Sequence, residues 1–123
     1  MPSPRLKRVY DVAAADDGLR ILVDRLWPRG LGKDKARVTR WMKEVAPSDS
    51  LRKTFHAQPE RWEEFRVAYA AELAGNPALD ELRDLIHKQR VTLLYAARDT
   101  EHNNARALAG ILAEKKAPAR SRS

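Results

Sequence analysis

The sequence predicts an α/β fold, a single compact layered domain with a small, partly parallel sheet flanked by helices. Two observations carry the prediction. A continuously apolar run at residues 21 to 23 has the character of an interior strand covered on both faces, and residues 91 to 97 (VTLLYAA) form the clearest strand in the chain. Around them, apolar residues return every three or four positions, the helical period. Helix, buried strand, helix in the second half, joined to a buried strand in the first, is the pattern of layered α/β architecture.

Taken in order, residues 6 to 12 (LKRVYDV) and 19 to 24 (LRILVD) flank the polar segment Asp16-Asp17-Gly18 and read as strands. Paired directly they form an antiparallel hairpin, because so short a link is not expected to carry a parallel crossover. Trp27-Pro28-Arg29-Gly30-Leu31-Gly32 is a shaped loop, since proline and glycine interrupt regular elements. Residues 33 to 46 are ambiguous, with Val38, Trp41, Met42 and Val45 fitting a short helix that stops at Pro47.

Ser48 is well placed to cap a short helix over residues 51 to 56. Pro59 opens a longer one running to about Ala74, with Trp62, Phe65, Tyr69 and Leu73 as its apolar stripe and Gly75-Asn76-Pro77 as its stop. A helix over residues 78 to 89 turns Leu79, Leu82, Leu85 and Ile86 inward. The strand over 91 to 97 follows, then a last helix over 101 to 115 that buries Ala105, Leu108, Ile111 and Leu112. Asp99 or Thr100 is the expected cap of that helix. Residues 1 to 114 thus form one domain, and residues 115 to 123 are a basic tail expected to be unstructured.

A chain of 123 residues can bury a core without covalent staples. It has no cysteine, which excludes disulfides, thiolate metal sites and cysteine nucleophiles. No signal-peptide pattern opens it and no run approaches the roughly 20 apolar residues of a membrane span. A cytoplasmic location and no membrane partner are therefore expected. Three scattered histidines show no metal-ligand spacing, and the dinucleotide-binding, P-loop, nucleophile-elbow and zinc-protease signatures are absent. No metal and no cofactor are expected.

The net charge of +7 suggests polyanions, but its placement changes that reading. Arg5, Lys7 and Arg8 at one end, with Lys115, Lys116, Arg120 and Arg122 at the other, account for the whole excess. Residues 9 to 114 are neutral. A basic tail supports weak, nonspecific, salt-sensitive nucleic-acid contact, whereas a recognition face needs charge on the folded body.

In open α/β sheets ligands bind beyond the carboxyl ends of the strands. If the strands ending at residues 24 and 97 are parallel neighbours, Asp24, Arg25, Trp27 and Arg29 meet Arg98, Asp99, His102 and Asn103 on one edge. Arg25, Arg29 and Arg98 would clamp a small anion, since the guanidinium fork matches phosphate or carboxylate. His102 would carry a proton and Asp24 or Asp99 would orient it, which makes these three the catalytic candidates. Trp27 and Asn103 complete the ligand set, with Ser48 and Tyr95 as reserve donors. Structural readings stand beside these: a cap for Asp99, loop-tying ion pairs for Asp24 with Arg25 and for Arg98 with Asp99, and a lid over the core for Trp27.

The runs VDRLWPRG (23 to 30), W-x-K-x-x-A-P-S (41 to 48), P-E-R-W-E-E-F-R-x-x-Y-x-x-E-L (59 to 73) and T-L-L-Y-A-A-R-D-x-E-H-N-x-A (92 to 105) resemble the YeaO-like branch of the domain of unknown function 488 family. The resemblance extends from about Arg8 to Leu112. It implies a compact α/β fold in a bacterial or archaeal protein and no established activity. Its motif positions overlap the strand-end cluster.

Two functions follow. One is a small-molecule enzyme or binding protein for an anionic ligand, the other a noncatalytic interaction protein touching nucleic acid or an acidic partner through its basic termini. The second predicts that deleting residues 115 to 123 abolishes binding to a DNA duplex and that salt weakens it steeply beforehand, as a filter-binding titration would read.

Overall fold

The five residues Val91–Tyr95 are all buried, and the strand they form lies inside the sheet with a parallel neighbour on each side. A computed structural model describes residues 3–114. Along the chain these give β1 (Arg5–Arg8), β2 (Leu19–Leu22), the single turn α1 (Lys33–Ala36), β3 (Arg40–Trp41), α2 (Asp49–Ala57), α3 (Trp62–Leu73), α4 (Pro77–Lys88), β4 (Val91–Tyr95) and α5 (Asn104–Ala113). The sheet order is β1-β4-β2-β3, and each pairing is parallel. The layered α/β class expected from the sequence is the class observed. The tail at 115 to 123 lies outside the described residues, as does the expected end of the last helix at Lys115.

The antiparallel hairpin does not form. β4 inserts between β1 and β2, so the link over residues 9 to 18 makes a parallel crossover whose only regular piece is the 3-10 turn Ala15–Asp17. A ten-residue segment can reach about 33 Å when extended, enough to run back along a four-residue strand without a helix. Gly18 closes it with a φ of 68°, and a Cβ there would stand 2.3 Å from the Arg90 carbonyl oxygen. That carbonyl accepts the Leu19 N–H at 2.9 Å, starting the β2–β4 register at Leu19 opposite Val91.

The short helix expected within residues 33 to 46 is also replaced. The segment divides into α1, β3 and a 3-10 turn at Lys43–Val45. Arg37, with φ of 49°, ends α1 after one turn, and the Met42 N–H bonds to the Leu22 carbonyl at 2.9 Å as β3 joins the edge of β2. Packing decides the outcome: Val38 and Trp41 cover Leu22 and Leu94 on the second sheet face instead of facing a helix neighbour.

The helices keep the expected faces. Ser48 caps α2 by accepting the Leu51 N–H at 3.1 Å. Phe65, Tyr69 and Leu73 of α3 are buried, and Tyr69 donates its hydroxyl to the Val45 carbonyl. The helix begins three residues after Pro59 and stops before Gly75, whose φ is 77°. Asn76 then caps α4, accepting from the Ala78 N–H at 2.9 Å. Leu79, Leu82 and Ile86 of α4 join Ile21, Leu93 and Leu108 in the larger core. A smaller core of Val9, Leu22, Ala36 and Leu94 lies on the other face, packed under Trp27, Leu31 and Trp41.

At the amino ends of the strands the sheet encloses charge. Asp17 is 2% exposed and Arg20 4%. The Asp17 carboxylate accepts from Arg20 Nη1 at 2.6 Å, Lys7 Nζ at 3.2 Å and the Ala14 N–H at 2.9 Å. Arg20 also donates to the Arg37 and Ala36 carbonyls at 3.0 and 2.9 Å, holding the end of α1. Burial pushes the Asp17 pKa upward, but these hydrogen bonds outweigh it and leave the carboxyl below its ordinary value. The stability it contributes is therefore present above about pH 3.8 and lost as pH falls through the lower folded value. Arg20→Met is expected to destabilise the fold by about 3 kcal/mol, measured as a shift in urea midpoint, because it removes the more deeply buried of the two cations that hold Asp17 and leaves two carbonyls unpaired.

Candidate functional site

Because β2 and β4 are parallel neighbours, their carboxyl ends emerge side by side. Asp24 follows β2 and is held there by three elements. Its Oδ2 accepts the Ala96 N–H at 3.0 Å, its Oδ1 accepts Asn104 Nδ2 of α5 at 2.9 Å, and its carbonyl accepts Trp41 Nε1 at 2.7 Å. Asn104 Nδ2 also reaches the Val23 carbonyl at 3.0 Å. Burial raises the Asp24 pKa, opposed by the bonds from Asn104 and Ala96 and by the nearby charge of Arg52. Asp24 thus ties both strands to the start of α5, and the loop-tying ion pairs expected from the sequence do not form: Arg25 faces Asp49 instead of Asp24, and Asp99 faces His102 instead of Arg98.

Beyond Asp24 lies a pocket of about 360 Å³. Pro28, Phe65, Phe55, Ala96 and Ala97 give its buried and half-buried apolar lining. Phe55 of α2 stacks on Phe65 of α3 with centroids 4.4 Å apart. Trp27 lines another side, donating Nε1 to the Leu31 carbonyl at 2.7 Å and meeting Trp41 edge-on. Tyr10, Leu26, Arg29, His56 and His102 are the exposed lining residues, and Arg25 and Arg52 are half-buried.

The expected site residues divide between the pocket and its supports. Asp24, Arg25, Trp27, Arg29, His102 and Asn103 line the pocket. Arg98 is exposed and is not among the lining residues. Tyr95 also lies outside the lining, buried in the helix-facing core, and burial raises its pKa. Ser48 caps α2 and donates its hydroxyl to Glu72.

Asp99 does not cap α5, and neither does Thr100. Asn103 is the cap, accepting the Arg106 N–H at 2.8 Å while its Nδ2 bonds the Asp99 carbonyl at 2.9 Å. Asp99 organises the preceding turn, accepting the Glu101 and His102 N–H groups at 2.9 and 3.0 Å, bonds that depress its pKa. The expected pairing of Asp99 with His102 is present as a contact of 3.6 Å to Nδ1, and the ring rests against Trp62 at 4.9 Å.

Tyr10, Arg52, Phe55 and His56 join the lining without having been singled out from the sequence as site residues. Arg52 and His56 sit four positions apart on α2, a spacing that puts them on one face, but nothing local shows that this face meets the strand ends. The link is tertiary: Arg25 Nε donates to the Pro47 carbonyl at 3.1 Å, drawing the loop before α2 to the loop after β2. Among the described residues, no cluster of histidine or carboxylate side chains is placed to hold a metal ion, and no helix is long and apolar enough to cross a membrane.

A parallel α/β sheet with a pocket at its carboxyl edge defines the class. The chain belongs to the domain of unknown function 488 family: the model of the inactive DUF488-N3 subclade matches residues 4–122. The chain is similar to the uncharacterized protein YeaO of Escherichia coli, 49% identical over 104 residues that cover 84% of this chain and 90% of that protein. The uncharacterized protein Rv3073c of Mycobacterium tuberculosis is 47% identical over 108 residues, 88% of this chain and 92% of the relative. No solved structure matches it.

The raised Asp24 pKa sets a sign. The contribution of this carboxyl to stability is fullest below about pH 3.8 and declines as pH rises through its higher folded value. The stability difference between the wild type and Asp24→Asn, followed by urea denaturation, should accordingly move against the wild type between about pH 4 and pH 7.

Proposed function

We propose that the protein is a noncatalytic binding protein for a small organic anion, seated in the pocket at the carboxyl ends of β2 and β4 and acting in the cytoplasm. The observation that carries this reading is the lining itself, in which Arg25, Arg29, Arg52, His56 and His102 surround an apolar interior. An arginine fork is suited to carboxylate or phosphate, and a pocket of this size holds a small metabolite.

Binding is preferred to catalysis because the candidate reacting groups are engaged elsewhere. Both Asp24 carboxylate oxygens accept hydrogen bonds from the fold. The Ser48 hydroxyl is shared between the α2 cap and Glu72. His102 meets Asp99 only through a loose contact of 3.6 Å on an exposed turn, which favours binding over acid–base chemistry. The description of the matching subclade as inactive agrees with this reading.

Arg29 is the decisive side chain, since it is exposed and its guanidinium has no hydrogen bond or ion pair to a described residue. Thermal-shift titration with carboxylates and phosphates should show stabilisation by a bound anion. Arg29→Ala should weaken that binding by about tenfold, the cost of one charge-assisted contact, without lowering the melting temperature of the free protein. Arg98→Ala should leave the binding unchanged. Equal binding by wild type and Arg29→Ala would reject the proposal.

A further inference from the structure

Most polar groups around the pocket are already paired within the protein, with Arg52 Nε a buried exception, and this limits what a ligand can present to them. The Ala96 N–H is taken by Asp24, and the Ala96 and Ala97 carbonyls are taken by the Arg8 guanidinium at 3.2 and 2.9 Å. The carbonyls of Val23 and Asp24 accept from Asn104 and Trp41. Asn103 has both ends of its amide engaged, and Tyr10 donates its hydroxyl to the Arg29 carbonyl at 2.9 Å. A nucleobase or sugar entering this interior would bring several donors and acceptors and find few partners. Each polar group buried unpaired costs about 1–3 kcal/mol. An aryl or acyl body has no such groups and fits beside Phe55, Phe65, Pro28, Ala96 and Ala97.

Two of the three lining arginines already face a carboxylate. Arg25 and Arg52 share Asp49, at 4.0 and 3.3 Å, and Arg52 also acts electrostatically on Asp24. Arg29 is left as the lining arginine with no carboxylate partner among the described residues, and it lies at the solvent-exposed part of the lining. An arginine without a carboxylate partner suits a negative charge, and its exposure places that charge at the mouth with the apolar body inward.

We infer that the ligand is an amphiphilic monocarboxylate, an aryl or short acyl body filling the pocket with its carboxylate held by Arg29 at the mouth. The inference rests on the anion-binding reading above and narrows its ligand class. It excludes nucleotides, sugar phosphates and inorganic phosphate as preferred occupants.

Calorimetric titration of the full chain with phenylacetate, acetate, phenylacetamide, inorganic phosphate and adenosine monophosphate tests it. Phenylacetate should bind about tenfold or more tighter than acetate, through burial of the ring, and tighter than either phosphate compound. It should also bind more tightly than phenylacetamide, and Arg29→Ala should erase that last preference. Ala97→Leu, which fills the interior, should lose phenylacetate but keep acetate. If that variant does not fold, the comparison of ligands on the wild type decides alone. Arg29-dependent binding of phosphate, adenosine monophosphate or acetate as tight as that of phenylacetate would overturn the apolar-body inference and leave the anion site standing. Equal affinity for phenylacetate and phenylacetamide would overturn the anion site itself, and no binding by any probe would overturn both.

Discussion

β4 is hydrogen-bonded along both edges, to β1 from Arg5–Thr92 to Arg8–Tyr95 and to β2 from Leu19–Val91 to Leu22–Leu94. The strand that arrives last in the chain is therefore the one that joins the sheet together. β1 and β2 are not neighbours in the sheet, so both depend on pairing with β4 across more than seventy positions of sequence. Such long-range closure is entropically costly and becomes favourable only when the buried apolar strand and its covering helices arrive together. The pocket depends on the same event, since its two strand ends become neighbours only when β4 pairs with β2.

The two ends of the sheet use buried carboxylates in opposite ways. At the amino ends, Asp17 is surrounded by cationic donors that favour its charged form. At the carboxyl ends, Asp24 is held mainly by neutral amide donors, and burial disfavours its charge. Both groups are connectors: Asp17 joins β1 and β2 to the crossover, while Asp24 joins β2, the end of β4 and α5. Their different partners explain the opposite directions of their pKa values.

Local signals proved informative wherever one element decides its own structure. The α3 stripe of Phe65, Tyr69 and Leu73, the Ser48 cap, the Gly75 stop and the apolar run of β4 were all legible in the sequence, because side-chain period and backbone preference act over a few residues. The hairpin was misread because pairing is not a local property. Two strands near in sequence are separated here by one that lies far along the chain. Trp41 and Val38 looked helical by spacing, but they answer to the sheet face they cover. Arg20, inside an otherwise apolar strand, gave no sign of being buried with Asp17. The pocket lining followed the same rule: the positions of Asp24, Arg25, Trp27, Arg29, His102 and Asn103 at one sheet edge were legible from their place after strands, while Arg52 and His56 required knowing where α2 docks.

The outermost strands have a further consequence. β1 is four residues long and reads Arg-Leu-Lys-Arg, and β3 is two residues long. Exposed edges of apolar sheets are templates on which another chain can add a strand, and short or strongly charged edges discourage this. In this fold the apolar strand Val91–Tyr95 is enclosed on both sides, and the margins offered to a second molecule are brief and rich in charged side chains. The sheet is protected from growing beyond its own boundary by the same order of strands that builds its pocket.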